Sequence, residues 1–316
     1  MPLADVARVH DVTGNRDNKV VKVEECIIRN ELRPTAGADN LWASIVTDPG
    51  VKDRLFRTAL LGLRLRSELP FTTTALHGLA LLYGPPGTGK TTLARGLADE
   101  LGPVVPERKV RLIEVNPHGL MSSEHGQSQQ LVMQLLCDHV PALASDGKPT
   151  VVLLDEVESM CVARNTASLS ANPADVHRAT DAVLTALDQN TADHPHIITV
   201  ATSNFTDALD EAFKSRADDA IFVPLPNRDA ILKILRTTLI GYGAKYPKLA
   251  RLANARELED AAASLVGLDG RQARKVVTDA MKLRTETVLN PELLAVADLV
   301  NASAVRAKRR MSDAPA

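Results

Sequence analysis

Gly84-Pro85-Pro86-Gly87-Thr88-Gly89-Lys90-Thr91 holds the clearest chemistry in the chain. Gly84 and Gly89 bracket four residues and are followed by Lys and Thr, the spacing of a phosphate-binding loop. The glycines let several backbone N–H groups turn inward toward one anion. Lys90 adds a point charge for the outer phosphates, and the Thr91 hydroxyl can ligand Mg²⁺. Downstream, the apolar run Val151-Val152-Leu153-Leu154 ends in Asp155-Glu156. A buried strand delivers such acids to the carboxyl edge of a sheet, where open α/β sheets bind ligands. Asp155 then holds Mg²⁺ through water, and Glu156 orients and deprotonates the attacking water. Asn204, in Thr202-Ser203-Asn204, supplies an uncharged amide able to hydrogen-bond a γ-phosphate and that water together. The set implies hydrolysis of a nucleoside triphosphate.

The surrounding pattern supplies the elements that must position these groups. Leu79-Ala80-Leu81-Leu82-Tyr83 reads as a buried strand entering the loop, and Leu93, Leu97 and Leu101 space out a helix leaving it. Further strands are predicted at 110–115, 150–154, 197–201 and 220–223, and a strand or two within 20–28. Helices are predicted at Val51 to Glu68 (stripe Leu55, Ala59, Leu60, Leu63), Ser128 to Val140 and Ala174 to Asp188. Strands alternating with helices predict an α/β fold, a mainly parallel sheet with helices on both faces. Pro224-Leu225-Pro226 interrupts this pattern, since prolines so close break helix and sheet alike. Beyond it only helices are predicted, at 229–239, 257–266 and 270–287, with another opening near Asn290-Pro291-Glu292. The expected organisation is a short leader (1–40), a large α/β domain (41–226), a small helical lid domain (227–305) and a basic, frayed tail (306–316).

Composition removes several alternatives. A net charge of −2 over 316 residues gives no general attraction to nucleic acid or anionic membrane. No apolar run nears the ~18 residues that cross a bilayer, and the first residues lack a secretory h-region. Cys26, Cys137 and Cys161 are odd in number and lack metal-ligand spacing, which reads as three reduced thiols in a cytoplasmic protein. Aromatics make up only 3% of residues, which disfavours a base-stacking platform.

A longer series of motifs narrows the reading. It comprises Leu41-Trp42-Ala43-Ser44-Ile45-Val46, the phosphate loop, Leu154-Asp155-Glu156-Val157-Glu158-Ser159, Ala163-Arg164-Asn165, Ala182–Asp188, Ala201–Asn204 and Ser215-Arg216-Ala217-Asp218. Together they resemble the AAA+ ATPases of the pachytene-checkpoint/thyroid-receptor-interactor family, remodellers of HORMA-domain proteins, from Leu41 to at least Lys275. The resemblance implies ATP as the nucleotide, with Mg²⁺, and a homo-hexameric ring. It implies that Arg216 is an arginine finger reaching the γ-phosphate held by the neighbouring subunit, a role worth roughly 10³–10⁵ in rate. It also implies that Arg271 is the helical domain's sensor arginine, with Arg274 the runner-up on the same helix.

Two departures qualify the resemblance. In the substrate pore loop, Leu120–Ser128, Glu124 stands where the family usually has an aromatic, leaving Met121 and His125 as the bulky gripping candidates. Either the loop holds a particular polar sequence or the pulling stroke is weaker. The leader is far shorter than the substrate-recognising domain of eukaryotic relatives, which resembles compact bacterial members of antiphage signalling (CBASS) systems. The expected function is ATP-driven disassembly of HORMA-domain complexes, including one with a nucleotidyltransferase, as a negative regulator. The rivals are a nucleic-acid motor or loader on the same fold, and a nucleotide-gated scaffold.

Overall fold

The computed structural model describes residues 23–37, 40–120, 127–163 and 173–313. Six strands form one sheet: β1 (Ile27–Arg33), β2 (Leu79–Tyr83), β3 (Val110–Val115), β4 (Thr150–Leu154), β5 (Ile197–Ser203) and β6 (Asp219–Phe222). Their order is β1-β3-β4-β5-β2-β6. β1 runs antiparallel to β3, and the remaining pairs are parallel. Only the first edge strand escapes the sequence pattern, because its charged alternation (Arg29, Glu31, Arg33) belongs to a strand with one open edge.

β4 and β5 are buried at every position, which is why they read as mostly apolar runs without polar alternation. The pleat sends alternate residues to opposite layers. Leu79, Leu81, Val152 and Leu154 join Leu135, Val183 and Leu187 in one layer. Ala80, Leu82, Val151 and Leu153 join Leu55, Leu63, Leu93 and Leu97 in the other. The helix Pro49–Glu68 belongs to the second layer. Asp48 caps it by accepting the Gly50 N–H at 2.7 Å, and Pro49 takes the first position, where no N–H is needed. Its buried face is Leu55, Ala59, Gly62, Leu63 and Arg66, so the predicted Leu60 lies at the margin.

The helix after the pore-loop stretch begins at Gln127 and widens into a π-helical segment, Gln134–His139, before Val140–Leu143. Pro141 has no N–H to offer Cys137, which favours such a bulge. Asn190, near the end of the helix Pro173–Asp193, donates through Nδ2 to the Leu136 carbonyl at 3.0 Å.

From Arg228 onward the chain is helical, with its own core around Ile231, Leu235, Leu258, Val276, Val277 and Leu299. The predicted helix over 270–287 divides into Gly270–Met281 and Thr285–Leu289. The helix Pro247–Leu252 falls where none was placed, and the one expected to open near residues 290–292 makes a single turn there, Pro291–Leu293, before the helix Val296–Asp313. Of the tail expected over 306–316, the described part is helical. Helix continues to Asp313, because Leu299 and Ala302 pack into this core and Arg306 pairs with Asp279 of the helix Gly270–Met281.

Cys26 and Cys161 are buried and Cys137 half-buried, all as free thiols. No helix among the described residues is long and apolar enough to cross a membrane.

Candidate nucleotide site

The phosphate loop leaves the carboxyl end of β2 in a conformation that only its glycines adopt without strain. Gly84, Gly87 and Gly89 have φ of 139°, 75° and 95°. A Cβ on Gly84 would stand 2.5 Å from the Val223 carbonyl oxygen, and one on Gly87 would stand 2.4 Å from the Asp269 carboxylate. The second contact carries the loop to the helical region, since Asp269 caps the helix Gly270–Met281 by accepting the Gln272 N–H at 2.9 Å. Gly89 begins the helix Lys90–Leu101 without a side-chain cap, so its first N–H groups face the loop. A helix opened in this way is suited to an anion.

Lys90 is only 5% exposed. Its Nζ donates at 2.8 Å to three neutral oxygens: the Gly84 and Pro85 carbonyls and Asn204 Oδ1. Burial lowers the pKa of this amine, while Glu158, Asp155 and Glu156 pull it upward. A partly desolvated ammonium held by neutral oxygens at the mouth of an N–H-lined loop is arranged for phosphate, which replaces weaker contacts with charged ones.

Asp155 and Glu156 follow β4 directly. Asp155 Oδ1 accepts the Thr91 hydroxyl at 2.7 Å and the Thr202 hydroxyl at 2.5 Å. Thr91 and Asp155 thus present oxygen donors side by side, the ligand chemistry a hard divalent cation requires. Glu156 occupies the left-handed region (φ 53°, ψ 51°), and its N–H donates to Thr202 Oγ1 at 3.0 Å. Such a backbone costs about 1–3 kcal/mol in a non-glycine residue and persists where the surroundings hold it. Asn204 Nδ2 lies 3.4 Å from Glu156 Oε1, and the Asn204 N–H donates to Glu158 Oε1 at 3.0 Å. One amide therefore touches the lysine with its oxygen and the acid with its nitrogen.

These groups line a cleft of about 720 Å³ between the sheet edge and the helical region. Gly87 to Thr91, Asp155, Glu156 and Asn204 all reach it, as does the exposed Arg271 on its far wall. Arg274 reaches it too, and donates to the Ser44 carbonyl at 2.9 Å. A larger cleft of about 850 Å³, also bordered by Pro85 and Pro86, is not lined by Lys90, Asp155, Glu156 or Asn204.

Arg216 stands outside the nucleotide cleft. It ends the short helix Glu211–Arg216, and its guanidinium forks Asp188 through Nε and Nη2, both at 2.8 Å. The fork holds the Asp188 carboxyl below the usual carboxylate range. Met121, Glu124 and His125 lie outside the described residues, as do Arg164 and Asn165.

Three contributors were missed at the level of sequence. Thr202 bridges the two acids, Glu158 anchors Asn204, and Arg95 lines the cleft. Arg95 is gripped by Glu114, itself 1% exposed, through Nε at 2.9 Å. The hydroxyl two residues before Asn204 was a visible signal for Thr202. Glu158 stands in the motif 154–159 without a role assigned to it, and nothing local marks Arg95.

Comparison with known proteins adds to this geometry. The family described as "ATPase family associated with various cellular activities (AAA)" matches residues 80–225. CD-NTase-associated protein 6 of Pseudomonas aeruginosa is 44% identical over 278 residues, covering 88% of this chain and 90% of the relative. The pachytene checkpoint protein 2 homolog of Arabidopsis thaliana is 37% identical over 213 residues, covering 65% of this chain. The match spans only 44% of that longer plant relative. Among solved structures, C. elegans PCH-2 superposes with a TM-score of 0.68 at 25% identity, covering 90% of this chain and 75% of the other. A chain from the E. coli MS115-1 HORMA:CdnC:Trip13 complex superposes with a TM-score of 0.70, covering 89% and 96%. At 18% identity the latter supports the fold.

Proposed function

The chain belongs to the AAA ATPases, on the branch of the pachytene-checkpoint proteins, and from that premise we propose that it hydrolyses ATP to pull apart complexes of a HORMA-domain protein. The substrate class rests on similarity to CD-NTase-associated protein 6 and on the likeness to a chain solved within a HORMA:CdnC:Trip13 assembly. A role in restraining a bacterial antiphage nucleotide-signalling system, with a nucleotidyltransferase in the remodelled complex, follows from the same similarity.

One observation carries the catalytic part. Lys90, Thr91, Asp155, Glu156 and Asn204 converge on one cleft, while Arg216 lies away from it on the same chain. Gly84–Thr91 and Lys90 cradle the phosphates of ATP. Thr91 and Asp155 would hold Mg²⁺, which would neutralise charge on the outer phosphates. Glu156 takes the proton of the attacking water, oriented jointly with Asn204. Arg216 completes the cleft of the next subunit, which requires a head-to-tail ring, a hexamer by family resemblance. Arg271 and the Gly87–Asp269 contact report the nucleotide to the helical domain. Motion about residues 224–226 then passes to the pore-loop stretch containing Met121, Glu124 and His125.

The test compares ATP turnover alone, with a purified bacterial HORMA-domain protein, and with DNA. Stimulation by the HORMA protein together with its capture by the Glu156→Gln ring supports the proposal. Stimulation by DNA alone overturns it in favour of a nucleic-acid motor.

A further inference from the structure

Asp218 has no part in the scheme above, yet it is among the most heavily hydrogen-bonded side chains near the sheet. Its Oδ1 accepts the His77 N–H at 2.7 Å, and its Oδ2 accepts those of Gly78 at 2.7 Å and Leu79 at 3.1 Å. Its own N–H donates to the Leu79 carbonyl at 2.8 Å, so the grip closes in both directions. The gripped residues form the head of β2, whose other end becomes the phosphate loop. That head is held from behind as well. Gly78 has φ +74°, and a Cβ there would stand 2.0 Å from Arg66 Nη1. Arg66 in turn donates to the Ile197 and Asn190 carbonyls at 2.6 and 3.1 Å. Thr191 Oγ1 donates to the His77 carbonyl at 2.9 Å.

Two residues upstream of Asp218 stands Arg216. The link between them is Ala217 alone, too short to absorb a shift at either end. Only a carboxylate suits the position. Three N–H groups converge on it, whereas an amide has a single acceptor oxygen and would turn its own N–H toward one of them.

We propose that Asp218 is a positioning residue for Arg216, clamping the turn that bears the arginine to the head of β2. Arg216 is thereby presented to the neighbouring subunit from a frame continuous with its own phosphate loop. The inference rests on the reading of Arg216 as a finger that acts in trans.

The experiment uses mixed rings made by co-expression. A donor chain carries Glu156→Gln with Arg216 intact, and an acceptor chain carries Arg216→Ala with Glu156 intact. Each is silent alone, and mixing restores turnover at acceptor sites that face a donor. Asp218→Asn is then added to the donor only. Since the donor's own site is already silent, any effect on its own chemistry is invisible, and only the presented arginine is read. Restored kcat should fall by about tenfold or more with the KM for ATP unchanged, as expected for a misplaced transition-state group. Restoration within about twofold of the parent donor overturns the proposal.

Native mass spectrometry checks that the altered donor enters the ring. If Asp218→Asn does not, Asp218→Glu replaces it. That variant keeps the carboxylate on a longer stem and should give an intermediate loss, and full restoration by it again overturns the proposal. If the parent donor restores nothing, the trans reading itself fails, and Asp218's role with it. That outcome is recognised without any change at Asp218.

Discussion

The two edges of the central sheet use polar side chains in opposite ways. At the carboxyl edge, Lys90, Asp155, Glu156 and Asn204 bond mostly to one another and to loop carbonyls, around an open cleft of about 720 Å³. At the amino edge, Asp218 and Arg66 bond to backbone groups at or just ahead of element ends: His77 and Gly78 before β2, Leu79 and Ile197 at strand starts, and Asn190 near a helix end. A ligand can take the place of a neighbouring side chain, but it cannot take the place of the chain's own strand. The carboxyl edge is therefore built to exchange partners, and the amino edge to hold geometry. Arg216 sits on the second edge while serving, on the proposed reading, the first edge of another subunit.

The comparison breaks most sharply at Lys90. Lys90→Ala is expected to reduce ATP turnover by about 10³-fold while shifting stability by less than about 1 kcal/mol, since removing a buried ammonium also removes its desolvation penalty. A turnover assay and thermal melts check the two halves, and isotherms with a fluorescent nucleotide add the affinity. A large loss of stability with binding intact would erase the difference between the edges.

Arg66→Ala should show the reverse. It leaves a cavity and takes one donor each from the Ile197 and Asn190 carbonyls, the second of which keeps the His194 N–H, and is expected to cost about 3 kcal/mol of stability with nucleotide affinity near that of the parent. Denaturant melts measure the first, and the same isotherms the second.

Gly87→Ala sharpens the comparison inside the carboxyl edge. The new Cβ meets Asp269 at 2.4 Å and the backbone keeps φ at 75°. Nucleotide affinity should fall by about tenfold. Adding Asp269→Ala relieves the clash but not the dihedral strain, so recovery should be partial. Full recovery would show that the contact with the helical region, rather than the loop's own shape, sets affinity.

The smallest effect belongs to an ion pair near the amino ends of β3 and β4. Lys148 and Arg111 hold the Asp146 carboxyl down to about 2. Its folded value lies below the unfolded one, so its stabilisation is present above roughly pH 4 and is lost as pH falls toward 2. Asp146→Asn should remove that slope and, at neutral pH, cost at most about 1 kcal/mol, the scale of solvent-exposed pairs. Melting curves between pH 2 and pH 7 compare the two chains.

Most of the lining of the candidate cleft is legible in the sequence because its parts are local. Gly84–Thr91 lies between one strand and one helix, and Asp155-Glu156 immediately follow another strand, so contiguity alone brings the right atoms to one edge. The strands themselves were visible as apolar runs, with β1 the exception because a half-open edge permits charges. The final helix was expected to open near residues 290–292, but its start at Val296 and its reach to Asp313 were not marked, because they depend on Leu299 and Ala302 packing into the helical core.

What the chain alone determined is therefore the chemistry and its local frame: a phosphate loop, two acids at a strand end, an amide, and arginines assigned by resemblance. Tertiary structure decided the partners. Thr202 reaches Asp155 because β5 lies beside β4, and Asp218 reaches the amides of residues 77–79 because β6 lies beside β2. Strand periodicity states which residues face a core, but says nothing of which strand lies alongside. That choice is made only when the whole sheet closes and buries both faces at once.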